Sequence, residues 1–215
     1  MNLDLYVDTS RKGVSMALAS AGNTADGSQP RYEEAVNPEA RGETLGATLD
    51  DLLNRMGATL DDVKRVMVTL GPGSFSGLRT GVAFCQGLCF SGKRELYGVT
   101  TLQALECFGT SPTTAVVIRA RTGFWYTRID GEEKFIETPE VVSLFENAQI
   151  KAIVADDAAL ADETLKATFD KLDVNIAHDT GLPLNRWAPL FDTVKPSLIQ
   201  EANYIQPSYF EKLKV

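Results

Sequence analysis

The strand and helix signals of this chain run through the same series twice, and that duplication narrows the possible folds more than any single motif does. Alternating apolar residues mark strands at 3–8 and 14–19 around the turn Thr9-Ser10-Arg11-Lys12-Gly13, and a short third strand near 31–36 follows the polar loop 21–30. The period then changes. Leu45, Leu49, Leu52, Leu53 and Met56 recur at helical spacing, and Gly57 stops that helix. Thr59 and Asp62 form a small capping box ahead of a buried-type strand at 65–70. Gly71-Pro72-Gly73-Ser74 turns sharply into a helix that runs to about Gly92. A strand at 96–99 leads into a helix through Leu102, Leu105 and Phe108, capped by Thr100 with Gln103.

The second half repeats this order. Strands at 115–119 and 125–129 flank the turn Arg121-Thr122-Gly123, Asp130-Gly131 turns into a short strand at 134–136, and Thr138 caps a helix with Pro139 in its first turn. A strand at 152–155, a helix at 158–172 and a strand at 174–177 follow. Each half therefore spells β-β-β-α-β-α-β without residue-level repetition. The expected fold is α/β, with lobe I at residues 1–108, lobe II at 109–185 and a cleft between them. The remainder, with helix-like 187–194 and Pro207-Ser208-Tyr209-Phe210, is expected to pack back on lobe I from about residue 186.

Charge and cysteine content exclude several function classes. With 29 acidic against 21 basic side chains the formal net charge is -8, the wrong sign for gripping phosphate backbones unaided, so nucleic acid is expected only through a basic partner. Asp4 and Asp8 interrupt the start where a secretion signal needs a cationic stretch and an apolar run. Apolar stretches also fall well short of the roughly 20 residues of a membrane span, so the expected location is the cytoplasm. Cys85, Cys89 and Cys107 read as small core hydrophobes rather than a disulfide framework or zinc box.

The segment Gly71-Pro72-Gly73-Ser74-Phe75-Ser76-Gly77-Leu78-Arg79 carries the most information. It lacks the Gly-Lys-Ser/Thr of a phosphate-binding P-loop and the glycine spacing of a dinucleotide fingerprint. Two readings stand: a strained turn that needs glycine, or a weak anion site at a helix start with Arg79 one turn in. In the helix that follows, Leu78, Val82, Cys85 and Cys89 form one stripe, and Gly77, Gly81, Phe84 and Leu88 form a second. One stripe covers a sheet. The other admits a close neighbour, either the helix 43–56 of the same chain or a partner's helix.

Catalytic signals are sparse. His178, the only histidine, lies beside Asp179 with no local nucleophile signature, and no cluster has metal-ligand spacing, so no metal is expected. Asp8 at a strand end, followed by Thr9 and Ser10 in a hairpin turn, is placed as a group acting on nucleotide phosphate or Mg²⁺ would be. The matching second hairpin offers Arg119 and Arg121 instead. That leaves Asp8, Thr9, Ser10 and Arg79 as candidate weak phosphate contacts and no catalytic residue.

The stretch LYVDTSRKGVSMAL at 5–18, GPGSFSGLR at 71–79, and Gly98-Val99-Thr100-Thr101-Leu102 resemble the bacterial TsaB family, also called YeaZ, of glycoprotease-like proteins. Weaker echoes are Arg119-Ala120-Arg121-Thr122-Gly123 and Pro207 with Tyr209. The resemblance implies a duplicated ribonuclease-H-like, actin/Hsp70-type two-lobe fold. It also implies a non-catalytic subunit of the machinery that makes N6-threonylcarbamoyladenosine (t6A) in tRNA. Such a subunit would bind the catalytic paralogue TsaD, work with a TsaE-type ATPase, form homodimers through the first two helices of lobe I, and meet tRNA only through the complex. It would carry no cofactor of its own, with ATP or ADP possible at the partner interface. Gly77, Gly81, Phe84 and Leu88 are the expected interface residues. The helix that bears metal-binding histidines in the paralogue begins here Arg41-Gly42-Glu43-Thr44. Arg119 and Phe124 replace carboxylates usual in the family. The alternative is a stand-alone peptidase or ATPase of the same fold.

Overall fold

The computed structural model describes residues 1–21, 31–40 and 42–205, divided into two compact units: Met1–Thr101 with Pro183–Asn203, and Leu102–Leu182. The loop 21–30, apart from Ala21, and the terminal Pro207-Ser208-Tyr209-Phe210 lie outside the described residues.

In the first unit, β1 (Leu3–Asp8), β2 (Val14–Ser20) and β3 (Tyr32–Asn37) form an antiparallel meander. α1 (Leu45–Met56) leads to β4 (Val63–Thr69), and α2 (Phe75–Cys89) leads to β5 (Glu95–Val99), giving parallel β1/β4 and β4/β5 pairs and the sheet order β3-β2-β1-β4-β5. All six residues of β1 are buried, so this central strand needs a cover on each face. Leu3, Leu5 and Val7 join Met16, Leu18, Val66 and Val68 under the apolar stripe of α1 and under Val82, Cys85 and Cys89 of α2.

The opposite face carries Asp4 and Tyr6. Arg65 donates to both oxygens of Asp4 at 2.7 Å, and its guanidinium lies 4.1 Å above the Phe191 ring. Tyr6 meets Trp187 and Phe191 at 6.3 and 5.7 Å between centroids. The covering segment is a 3₁₀ helix, Leu184–Asp192, with Pro189 inside it. Proline has no N–H to continue an α-helical ladder, so the helix-like 187–194 stretch does not wind as an α-helix. Its start is pinned by Leu184 N, which donates to Tyr32 Oη at 3.0 Å and Glu34 Oε1 at 2.9 Å.

The second unit repeats the topology. β6 (Thr114–Arg121), β7 (Phe124–Ile129) and β8 (Glu132–Glu137) form the meander after the short α3 (Thr101–Glu106), whose first residue belongs to the first unit. α4 (Thr138–Asn147), β9 (Ala152–Ala155), α5 (Asp157–Ala161), α6 (Glu163–Lys171) and β10 (Asn175–His178) complete a sheet ordered β10-β9-β6-β7-β8. Each sheet has its hairpin strand at the centre, flanked by a meander on one side and two parallel strands on the other. This is the duplicated α/β architecture expected from the element order, and the ribonuclease-H-like one that the resemblance implies.

Two local expectations are corrected. The single helix at 158–172 is α5 and α6, because Asp162 has extended backbone and its carboxylate accepts from Thr164 N and Leu165 N at 3.0 Å, capping a new helix. The cap of α4 is Glu137, in a capping box with Glu140. Thr138 instead accepts the Trp125 indole N–H at 2.8 Å. The Thr59–Asp62 box is present as expected. Cys85 and Cys89 are buried and Cys107 half-buried; burial pushes the Cys89 and Cys107 thiols up to about 11.

Arg65→Met leaves the Asp4 carboxylate buried without its partner and should cost about 3–5 kcal/mol in urea unfolding. Pairing it with Asp4→Leu should cost clearly less than the sum of the single changes. Strict additivity would show that the pair is not coupled.

Candidate functional site

The β1–β2 turn is organised by one carboxylate. Asp8, only 5% exposed, accepts from Ser10 N at 2.9 Å, Ser10 Oγ at 2.6 Å and Thr69 Oγ1 at 2.9 Å, all on Oδ1, while Oδ2 faces Arg11 Nε at 3.6 Å. Three donors on one oxygen and a guanidinium at the other close the turn and tie it to the end of β4. Both Asp8 oxygens are thus engaged within the fold.

That turn sits on the start of α2. Ser74 N donates to Ser10 O at 2.6 Å. A Cβ on Gly73 would strike Ser10 O, one on Gly77 would strike Thr9 O, and one on Gly81 would strike Thr9 Oγ1 with Thr9 Cγ2 and Cβ at 3.0 and 3.1 Å. The three glycines, four residues apart, are therefore a track that admits the hairpin backbone at Gly73 and Gly77 and the Thr9 side chain at Gly81. This corrects the expectation that Gly77 and Gly81 form a notch open to a partner. The occupant is neither α1 nor a second protein but residues 9–10 of the same chain. Phe84 and Leu88 are half-buried against the core of the first unit.

Ser74 caps α2, its Oγ accepting from Gly77 N at 3.3 Å. Gly71 has φ +116°, and a Cβ there would press on Asn203 O, so the strained-turn reading of the loop holds for Gly71, whereas Gly73 is required by the close approach of Ser10. Pro72 is buried beside it, Phe75 and Ser76 are exposed, and Arg79 stacks at 5.3 Å over the Phe75 ring. Two residues past Gly77, Arg79 leaves the helix on the side away from Thr9 and Ser10, so the structure groups Asp8, Thr9 and Ser10 but sets Arg79 apart from them.

The outer side of α2 was not singled out in the sequence. Ser76, Thr80, Ala83 and Gly87 are all exposed and follow one another by four, three and four residues along one stripe. Phe75 at 59% and Phe90 at 80% exposure stand at its two ends. A Cβ on Gly87, or on Gly46 of α1, meets nothing within 4 Å. Arg79 is the one charged residue of α2. The signal available beforehand was that lack of charge, which apolar-periodicity arguments pass over.

Elsewhere the chemistry is thin. His178 Nε2 pairs with Asp157 Oδ1 at 2.7 Å on the surface, and Asp179 accepts from Gly181 N. Among the described residues no group of three or more His, Cys, Asp or Glu is placed to hold a metal ion, and no helix is long and apolar enough to cross a membrane. At the second hairpin, Arg119 N donates to Asp156 Oδ2. Phe124 stacks on Phe135 at 5.1 Å, with the Arg121 guanidinium 4.0 Å above Phe124.

Comparison with known proteins adds a family. The model of TsaD, tRNA N6-adenosine threonylcarbamoyltransferase, matches residues 36–163. The chain is 30% identical over 101 residues to the tRNA threonylcarbamoyladenosine biosynthesis protein TsaB of Escherichia coli (strain K12), covering 47% of this chain and 41% of that protein. It is 33% identical over 61 residues to tRNA N6-adenosine threonylcarbamoyltransferase of Clostridium perfringens, covering 28% of this chain and 18% of that enzyme. The matched stretches thus span less than half the length of these curated relatives. Two solved structures share the fold along nearly the whole chain. One, a Pseudomonas aeruginosa protein described as similar to peptidase YEAZ, has TM-score 0.65 at 20% identity and covers 96% of this chain and 100% of that one. The other, YeaZ from Pseudomonas aeruginosa, has TM-score 0.60 at 21% identity and covers 97% and 100%.

The glycine track has a direct test. Gly81→Ala should lower stability by about 1–3 kcal/mol in urea unfolding through overpacking, and Thr9→Ala in the same chain should recover part of that loss. Gly87→Ala, with open space at its Cβ, should instead gain up to about 1 kcal/mol. Equal effects at the two glycines would contradict the seating of the turn on Gly81.

Proposed function

From the fact that the chain belongs to the TsaD family of tRNA N6-adenosine threonylcarbamoyltransferases and resembles its TsaB (YeaZ) members, we propose that it is a non-catalytic scaffold subunit in t6A synthesis. In this reading it binds a TsaD-like catalytic paralogue in the cytoplasm, beside a TsaE-like ATPase, and meets tRNA only through the complex. Its contribution is shape.

The observation that carries the reading is the outer face of α2: a flat, charge-poor stripe of Ser76, Thr80, Ala83 and Gly87 between two exposed phenylalanines. Exposed aromatics around a flat surface that a neighbouring helix can approach closely are features of a protein interface. Phe84 and Leu88, on the adjoining side, fix the helix to its own core and so keep this face rigid. The interface proposed from sequence therefore shifts by about a quarter turn, from Gly77 and Gly81 to Ala83 and Gly87. The same face serves a homodimer when the paralogue is absent, since Phe75 and Phe90 at opposite ends of one helix can pair across an antiparallel crossing of two copies.

A second support is the state of Asp8. A carboxylate that already accepts three hydrogen bonds is poorly placed to organise Mg²⁺ and nucleotide, which favours a scaffold over a lone ATPase or peptidase. Any ATP or ADP belongs, in this reading, to the joint with the partner.

Gly87→Arg should weaken binding to the catalytic paralogue at least a hundredfold in calorimetric titration without lowering the melting temperature of the chain, because its side chain points into open space. Undiminished binding by Gly87→Arg and by Ala83→Arg would place the interface elsewhere. Cells lacking the protein should lose t6A in nucleoside mass spectrometry. Steady ATP or peptide hydrolysis by the purified chain alone would favour the stand-alone enzyme.

A further inference from the structure

A cleft of about 570 Å³ lies in the first unit beside the seated hairpin turn, within the size range of small-molecule sites. Its walls come from the turn, the start of α2 and the connection between β3 and α1, and they are charged oppositely. The turn contributes Lys12 and Arg11, the latter facing Asp8, and α2 contributes the positive end of its dipole, with its Gly77 N–H already taken by the Ser74 cap. The β3–α1 connection contributes Glu39 and Glu43. Thr9 also lines the cleft, with its Oγ1 turned away from it toward Gly81 of α2.

These charges select a ligand class. A phosphate would gain from Lys12 and the helix start but would meet two carboxylates in the same cleft. A simple cation would gain from the carboxylates but would face the helix start and two basic side chains. A molecule carrying both signs, close together and with no net charge, meets favourable partners at each end. The Lys12–Glu39 contact at 2.9 Å does not close the cleft, because both side chains are about four-fifths exposed and such surface pairs are worth at most about 1 kcal/mol. Both partners can turn toward a ligand. Ser76 and Thr80 add hydroxyls to the wall.

We propose that this cleft binds a free α-amino acid in its zwitterionic form, with the carboxylate at the first turn of α2 and Lys12 and the ammonium at Glu43. A side chain able to hydrogen-bond is favoured by the hydroxyls of Ser76 and Thr80. The proposal does not depend on the subunit reading, since none of its groups belongs to the outer stripe of α2 apart from those two hydroxyl residues at its near end.

The test is an amide-resonance titration of the intact chain with L-serine, using L-serinamide, L-lactate and inorganic phosphate as probes that each lack one feature. L-Serine should shift Gly42, Gly77 and Thr80 saturably, with half-saturation below about 5 mM. The amide and the hydroxy acid should bind at least tenfold more weakly. Glu43→Gln and Lys12→Gln, both at exposed positions, should each weaken serine binding about tenfold without changing the melting temperature. No saturable shift up to about 50 mM would overturn the proposal. So would lactate or phosphate binding as tightly as serine, or serine binding that is indifferent to Glu43. Failure of the unaltered chain to bind the paralogue, with serine binding intact, would instead count against the subunit reading alone.

Discussion

The first unit depends on the contact between a turn and a helix. Its central strand is buried on both faces, so the turn that ends it must be fixed in space for the sheet and the two helices to share one register. Asp8 does this from inside by collecting Ser10 and Thr69, and the start of α2 with the loop before it does it from outside, Gly73 and Gly77 meeting the Ser10 and Thr9 carbonyls and Gly81 the Thr9 side chain. Side chains at Gly73, Gly77 or Gly81 would push the helix away from the turn. Free hydration of the Asp8 carboxylate would open the turn itself. Two features that look functional in a sequence, an acid at a strand end and a glycine-rich loop, are thus largely used up in making the fold.

That explains which parts could be read in advance. Element order, the capping box at Thr59 and Asp62, the apolar stripe of α1 and the duplicated sheet all follow from local periodicity and local caps, and the structure contains them. The division of the 158–172 helix depended on Asp162, whose choice between continuing one helix and capping another is decided by backbone hydrogen bonding that periodicity does not register. The 3₁₀ segment under the sheet is similar, with Pro189 as its one visible sign.

The site was less accessible for a different reason. A glycine row says that something comes close to a helix, but not what, and residues 9–10 lie more than sixty positions away from it in sequence. Only the topology, with β1 beside β4 and α2 following β4, brings the turn over the helix. Once the inner row is occupied, the exposed stripe beside it is the face we propose for a partner. Its defining property is the absence of charge between Phe75 and Phe90, apart from Arg79, which lies against the Phe75 ring.

We propose that the chain serves its family's chemistry by presenting that outer stripe to a catalytic relative. Hydrogen–deuterium exchange on the intact chain, with and without the catalytic paralogue, measures this most directly. New protection should concentrate in residues 75–90. A complex that protects other segments and leaves α2 exchanging as in the free chain would contradict it.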